Sequence, residues 1–120
     1  MSNSNNIPES WLPLKTPVLF ILLALADGHK HGYAIMQETK ETSAGQVRLG
    51  PGTLYGNLQR LIEQGLIQET ATQPEGEGND ERRRYYELTG LGRRVISAEV
   101  ARLENLVRTA RAKALIPSLS

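Results

Sequence analysis

Asparagine and arginine at helical spacing can read the edges of nucleic-acid bases. Thr53, Gly56, Asn57 and Arg60 stand at such a spacing inside GPGTLYGNLQRLIEQGLI, residues 50–67, since residues three and four apart share one face of a helix. Asn pairs bidentately with adenine, and Arg with guanine or a phosphate. Gly56 has no side chain to keep the backbone away from a groove edge. Tyr55 lies at the rim of this face, where its hydroxyl can donate to a phosphate while its ring packs. Gln59 shares the face, and Glu63 is too far along it to meet bases. The polar face alone is equally what any solvated helix displays.

A second cluster follows in RRRYYELT, residues 82–89. Arg82, Arg83 and Arg84 abut an alternating segment. Alternation sets Arg83 with Tyr85, and Arg82 and Arg84 with Tyr86 and Leu88 on the expected core face. Such arginines suit the backbone or minor groove, and the competing expectation is surface pairing with Asp80 or Glu81. Tyr33 opens another helix and has the same two roles as Tyr55, a phosphate contact or a half-buried ring. The starts of the second and third helices are natural anion contacts. Lys30 and Lys40 are weaker candidates for phosphate.

Other chemistries find little support. His29 and His31 have no third ligand nearby and there is no cysteine, so a metal site is not expected. Gly50-Pro51-Gly52 lacks the lysine and spacing of a P-loop. No nucleophile–base arrangement or carboxylate pair stands out, and neither an enzyme nor a cofactor is expected. Without cysteine the chain suits a reducing cytoplasm. The polar start MSNSNNIPES does not read as a signal peptide, and the apolar run 18–26 is too short to span a bilayer. The net charge of +1 hides an asymmetry: residues 1–81 hold five Lys/Arg against ten Asp/Glu, and residues 82–120 nine against three. The basic end hints at a polyanion partner, although the arginines beyond Arg93 read more simply as a solvated helix face.

Helices and a hairpin must position these groups. Thr16 as N-cap with Pro17 behind it starts a first, almost wholly apolar helix that Asp27-Gly28 ends. Trp11, Leu12 and Leu14 form an apolar lead-in. A second helix is expected over 32–42, with Ile35, Met36 and Thr39 inward, and a very short strand over Val47–Leu49. The third helix spans about 52–64, with Leu54, Leu58, Leu61 and Ile62 as its inner stripe and Gly65 in the left-handed cap. Strands over 66–72 and 83–88 flank the Pro/Gly-rich segment 73–80. Thr89 caps a long last helix over 90–115, closed by Pro117. Ile96, Val100, Leu103, Val107, Ala110 and Ala114 repeat at four and three, a heptad-like seam that predicts a homodimer. Leu91, Val95 and Leu106 fall off that seam and are expected on the chain's own core. The fold class is therefore mainly α (α+β): an extension over 1–15, a winged helix-turn-helix over 16–89, a dimerisation helix over 90–116 and a tail over 117–120.

With these residues placed, the chain resembles the PadR family of bacterial transcriptional regulators. The matching pieces are LLALADGHKHGYAIMQE at 22–38, LGPGTLYGNLQRLIEQGLI at 49–67 and RRRYYELTGLGRRV at 82–95. The resemblance implies a dimeric winged-helix repressor whose third helix enters the major groove. The single long C-terminal helix looks like the short-form branch, whose members can bind small molecules at the dimer interface. In some drug-sensing members an aromatic on the last helix stacks a flat ligand. Here that helix has none, and the only tryptophan is Trp11. The expected partners are double-stranded DNA, a second copy and a small-molecule effector. The acidic wing tip (Glu75, Glu77, Asp80, Glu81) keeps an alternative open, a winged-helix protein-interaction module that does not bind DNA.

Overall fold

The computed structural model describes residues 8–70 and 84–117. A short 3-10 helix, Pro8–Trp11, leads to α1 (Thr16–Ala24), β1 (Lys30–His31), α2 (Gly32–Thr42), α3 (Pro51–Glu63), β2 (Ile67–Thr70), β3 (Tyr85–Leu88) and α4 (Gly90–Ala112). β3 is the middle strand, antiparallel to both neighbours, with His31 opposite Tyr85 on one side and Ile67 opposite Leu88 on the other. Three helices, a small sheet and a long final helix make a winged helix-turn-helix.

Local chemistry sets the helix limits. α1 begins one residue ahead of the expected cap: Lys15 is the extended N-cap, and Pro17 falls in the first turn, where its missing N–H goes unnoticed. The His31 ring caps α2, its Nδ1 accepting from the Ala34 N–H at 3.3 Å. α3 ends as Gly65 turns to φ +79°. Thr89 caps α4 by accepting from the Gly92 N–H at 3.0 Å.

Several expectations need correction. The short strand lies at Lys30–His31 rather than Val47–Leu49. Over 47–49 the Ser43 hydroxyl accepts from the Val47 N–H at 2.9 Å and donates to its carbonyl at 3.2 Å, so both backbone groups of Val47 are satisfied without a strand partner. Tyr85 and Tyr86 are both buried, because β3 is central: Tyr86 joins the core while His29 and His31 cover Tyr85 with edge-on rings. The last helix stops at Ala112, well before Pro117, and Ala114 lies beyond it at φ +62°. Ala114 is therefore not part of a helical seam.

The core is built from α1, the leucine stripe of α3, Leu66, Ile67, Tyr86 and the first half of α4. Ile96, expected in an intermolecular seam, is buried in this core with Val95. At about 100° per residue, Gly92, Val95, Ile96 and Glu99 share one arc of α4, and Leu103, Leu106, Val107 and Ala110 continue it. α4 thus has one apolar face rather than two stripes. Its first half is spent on the chain's own core, and its second half runs past it. Leu106, expected to be internal, is 53% exposed.

Glu99 is the unexpected member of the buried arc, at 1% exposure. Its Oε2 accepts from the Leu14 N–H at 3.0 Å and from Arg102 at 3.1 Å, and its Oε1 accepts from the Arg102 Nε at 2.6 Å. It fastens the lead-in to α4, while Trp11, Leu12 and Leu14 pack against the core. The Arg102 hydrogen bonds, aided by the Leu14 N–H and opposed by burial, hold the carboxyl below the usual carboxylate range. A depressed folded-state value contributes stability above the unfolded value and loses it as pH falls through the folded one. Glu99→Gln is expected to cost about 2 kcal/mol at pH 7, within the range for hydrogen bonds to charged groups. In urea melts, the gap to the parent protein should close below about pH 4, where carboxylates protonate. A gap of constant size down to about pH 3 would exclude this role for the ionised carboxylate.

Candidate nucleic-acid interface

α3 presents the central face. Leu54, Leu58 and Leu61 are buried, and at about 100° per residue the opposite side centres on Gly56. A Cβ built on Gly56 meets nothing within 4 Å, so the backbone is open to whatever approaches. Thr53 and Arg60 are exposed and Asn57 is half-buried on one flank. The Asn57 amide donates to the Thr53 carbonyl at 2.8 Å, which leaves its Oδ1 free of that bond. Tyr55, 48% exposed, occupies the opposite flank. Its hydroxyl sits so close to Gly32 that a Cβ there would lie 2.3 Å from it.

Tyr33 begins α2 and is 62% exposed. It stacks on His31, the rings 6.5 Å apart and 17° from parallel. Tyr33, Tyr55 and the start of α2 thus form one neighbourhood beside α3.

The cations divide by their company. Lys30, a phosphate candidate from sequence, bonds Asp27 and the Ala24 carbonyl and lies 3.5 Å from Glu38. This pairing holds the Asp27 carboxyl below its ordinary value and spends the charge internally. Arg84 is exposed at the base of the hairpin and faces Glu69 at 3.5 Å; the competing pairing with Asp80 or Glu81 lies outside the described residues. Arg60 and Lys40 make no salt bridge with any described residue. Arg82, Arg83 and the acidic tip residues Glu75, Glu77, Asp80 and Glu81 lie outside the described residues.

Among the described residues no three His, Cys, Asp or Glu side chains gather as metal ligands, and no helix is long and apolar enough to cross a membrane. The residues that sequence reasoning missed are Glu99, a buried acid inside an apolar arc, and Lys15, which lines a cleft with Asn57 and Arg60. The signal for Glu99 was its spacing, three residues after Ile96 and four before Leu103. Lys15 gave none, because its neighbours come from α3.

The chain is similar to several known proteins. It is 36% identical over 90 residues to Transcriptional regulator Rv3488 of Mycobacterium tuberculosis, an alignment covering 75% of this chain and 78% of that protein. It is 39% identical over 88 residues to an uncharacterized 37.1 kDa protein in transposon TN4556 of Streptomyces fradiae. That alignment covers 73% of this chain but only 23% of the transposon protein's length. In three dimensions it resembles a PadR family transcription regulator from Clostridium difficile, with a TM-score of 0.66 and 21% identity over 83% of this chain and 99% of the other. At that identity the likeness speaks for the fold alone. Residues 21–98 match the transcriptional regulator PadR-like family, a span that runs from α1 through α3 and the hairpin into α4. The chain belongs to the PadR-like family, whose members are regulators of transcription and not enzymes.

Proposed function

We propose that the protein is a sequence-specific DNA-binding repressor that acts as a homodimer in the cytoplasm. The observation that carries this reading is the α3 face centred on Gly56, which the core does not need and which bears Thr53, Asn57 and Arg60. Tyr33 and Tyr55 would meet phosphates on one side. Arg84, together with Arg82 and Arg83, would supply the wing. Two copies joined through the overhanging half of α4 would present their α3 helices to successive major grooves about 34 Å apart, on a roughly palindromic operator. Binding there represses by occluding a promoter.

Relief would come from a small molecule that prefers the state not bound to DNA. A cleft of about 490 Å³ between the lead-in and α4, lined by Leu12, Pro13, Ala98 and Ala101 with Glu9 and Arg102 beside them, supports this part of the reading. Such volumes suit small-molecule ligands. A ligand that releases DNA and also changes Trp11 emission would identify the inducer. Release of DNA with unchanged Trp11 emission would move the inducer site elsewhere.

Selection from a random duplex pool supplies the operator for the test. Asn57→Ala should weaken operator binding by about 1–3 kcal/mol, the range for a bidentate base contact, and Arg60→Ala should weaken it as well, whether its guanidinium meets a base or a phosphate. Sedimentation should show the oligomeric state unaltered. Full operator affinity in both variants would remove α3's outer face from the interface.

A further inference from the structure

Between the start of α1 and the outer part of α3 lies a cleft of about 400 Å³, lined by Lys15, Val18, Asn57, Arg60, Leu61 and Gln64. Two apolar side chains sit among two cations and two amides. Lys15 and Arg60 are both exposed, and neither makes a salt bridge with a described residue. Lys30, Arg84 and Arg102, by contrast, are each held by a carboxylate. Two like charges beside one cleft repel, and an anion between them turns that repulsion into attraction.

Position identifies the anion. The major groove is about 12 Å wide and a helix with its side chains about 10–12 Å across, so a helix seated there meets phosphates on both walls. One flank of α3 carries Tyr55, resting over Gly32 beside Tyr33. The other carries Asn57 and Arg60 and opens on the cleft. We propose that the Lys15–Arg60 cleft holds a backbone phosphate of the DNA duplex, on the wall opposite that met by Tyr33 and Tyr55. This rests on the DNA-binding reading above.

The lead-in places Lys15. The Leu14 N–H is bound by the buried Glu99 carboxylate, so the residue that follows is tied to α4. The long helix then reaches the duplex by two routes, through the core to α3 and through this strap to a phosphate.

Lys15→Gln tests the clamp, because the side chain is exposed and makes no hydrogen bond or ion pair with a described residue. Anisotropy titrations would use a mixed-sequence duplex of about 30 base pairs and the selected operator, across about 50–200 mM salt, where counterion release dominates. The slope of log affinity against log salt should fall by about 1, as for one lost phosphate contact. Affinity should drop several-fold, by the same factor on both duplexes. If the parent protein binds and the variant matches it in slope and affinity, the clamp is wrong while the DNA reading stands. A loss confined to the operator would likewise overturn it, since it would mark a base contact. An unchanged DNA slope, with inorganic phosphate bound by the parent protein and not by K15Q, would assign the cleft to a free anion instead. No DNA binding by the parent protein at about 50 mM salt would refute the DNA reading itself, and the clamp with it.

Discussion

Gly92→Ala is expected to lower the melting temperature by at least about 10 °C, the largest loss expected from a Cβ added at any described glycine. A Cβ at Gly92 would lie 1.9 Å from the Leu66 carbonyl oxygen and 2.9 Å from its carbon. Ordinary carbon–oxygen contact begins near 3.3 Å, so α4 would have to retreat by more than about 1 Å. Neither side can yield by turning a side chain, since both are backbone. The Leu66 carbonyl is also tied down: it accepts from the Thr89 N–H at 3.1 Å, and the Thr89 hydroxyl, which donates to the Gly65 carbonyl at 2.6 Å, lies 3.1 Å from it. Overpacking against flexible side chains costs about 1–3 kcal/mol, and a rigid collision belongs at or beyond the top of that range. At about 4 °C per kcal/mol, where the ranges for smaller and larger domains meet, the expected drop follows. Gly90→Ala is the control, because the nearest atom to its Cβ is the end of the flexible Arg94 side chain at 3.8 Å. Thermal melts should find Gly90→Ala near neutral; equal losses at both sites would show that helix-start propensity, not the collision, sets the effect.

Much of the fold was legible because it is local. The leucine stripe of α3, the positive φ of Gly65 and the Thr89 cap each depend on a few consecutive residues. What escaped is tertiary. β1 is two residues long, too short for any alternation, and is a strand only because Tyr85 and Tyr86 pair with it. Val47–Leu49 does alternate, but Ser43 takes both backbone groups of Val47 and the alternation only buries Leu49. The α4 seam was misread for a different reason. A heptad count from Ile96 selects Val100 and Val107, whereas the buried arc drifts through Val95, Ile96 and Glu99, the last of which an apolar pattern skips.

The candidate site was legible where one helix carries it. Thr53, Asn57 and Arg60 are brought to one side of α3 by helical spacing alone. Lys15 and Lys30 were not legible, because their roles depend on company from elsewhere in the fold. Lys30 is neutralised by Asp27 and Glu38, while Lys15 meets Asn57 and Arg60 across a cleft. Charge type can be read from a sequence, but whether a charge is spent or free is decided by packing.

The same distinction bears on α4, whose overhang is the basis of the proposed dimer. Val100, Leu106 and Val107 are 46%, 53% and 41% exposed, and Leu103 and Ala110 are half-buried between them. Ten residues of helix beyond the buried arc, 103–112, extend about 15 Å with one side apolar, and no described residue buries Leu106 or Val107 on it. Burying one such side chain contributes about 1.5–3 kcal/mol, and in a two-fold interface each substitution acts twice. Leu106→Asp or Val107→Asp should therefore weaken the dimer by at least about 3 kcal/mol, more than a hundredfold in dissociation constant. Sedimentation at low micromolar protein should find monomers, and operator affinity should fall with the loss of the second half-site. Ile96→Ala makes the contrast: it empties a core position and should cost the fold about 2–5 kcal/mol, the range for such a large-to-small core change, without adding a charge to the overhang. If both aspartate variants sediment as intact dimers, the overhang is not the seam, and two α3 helices would need another contact to set their spacing on DNA.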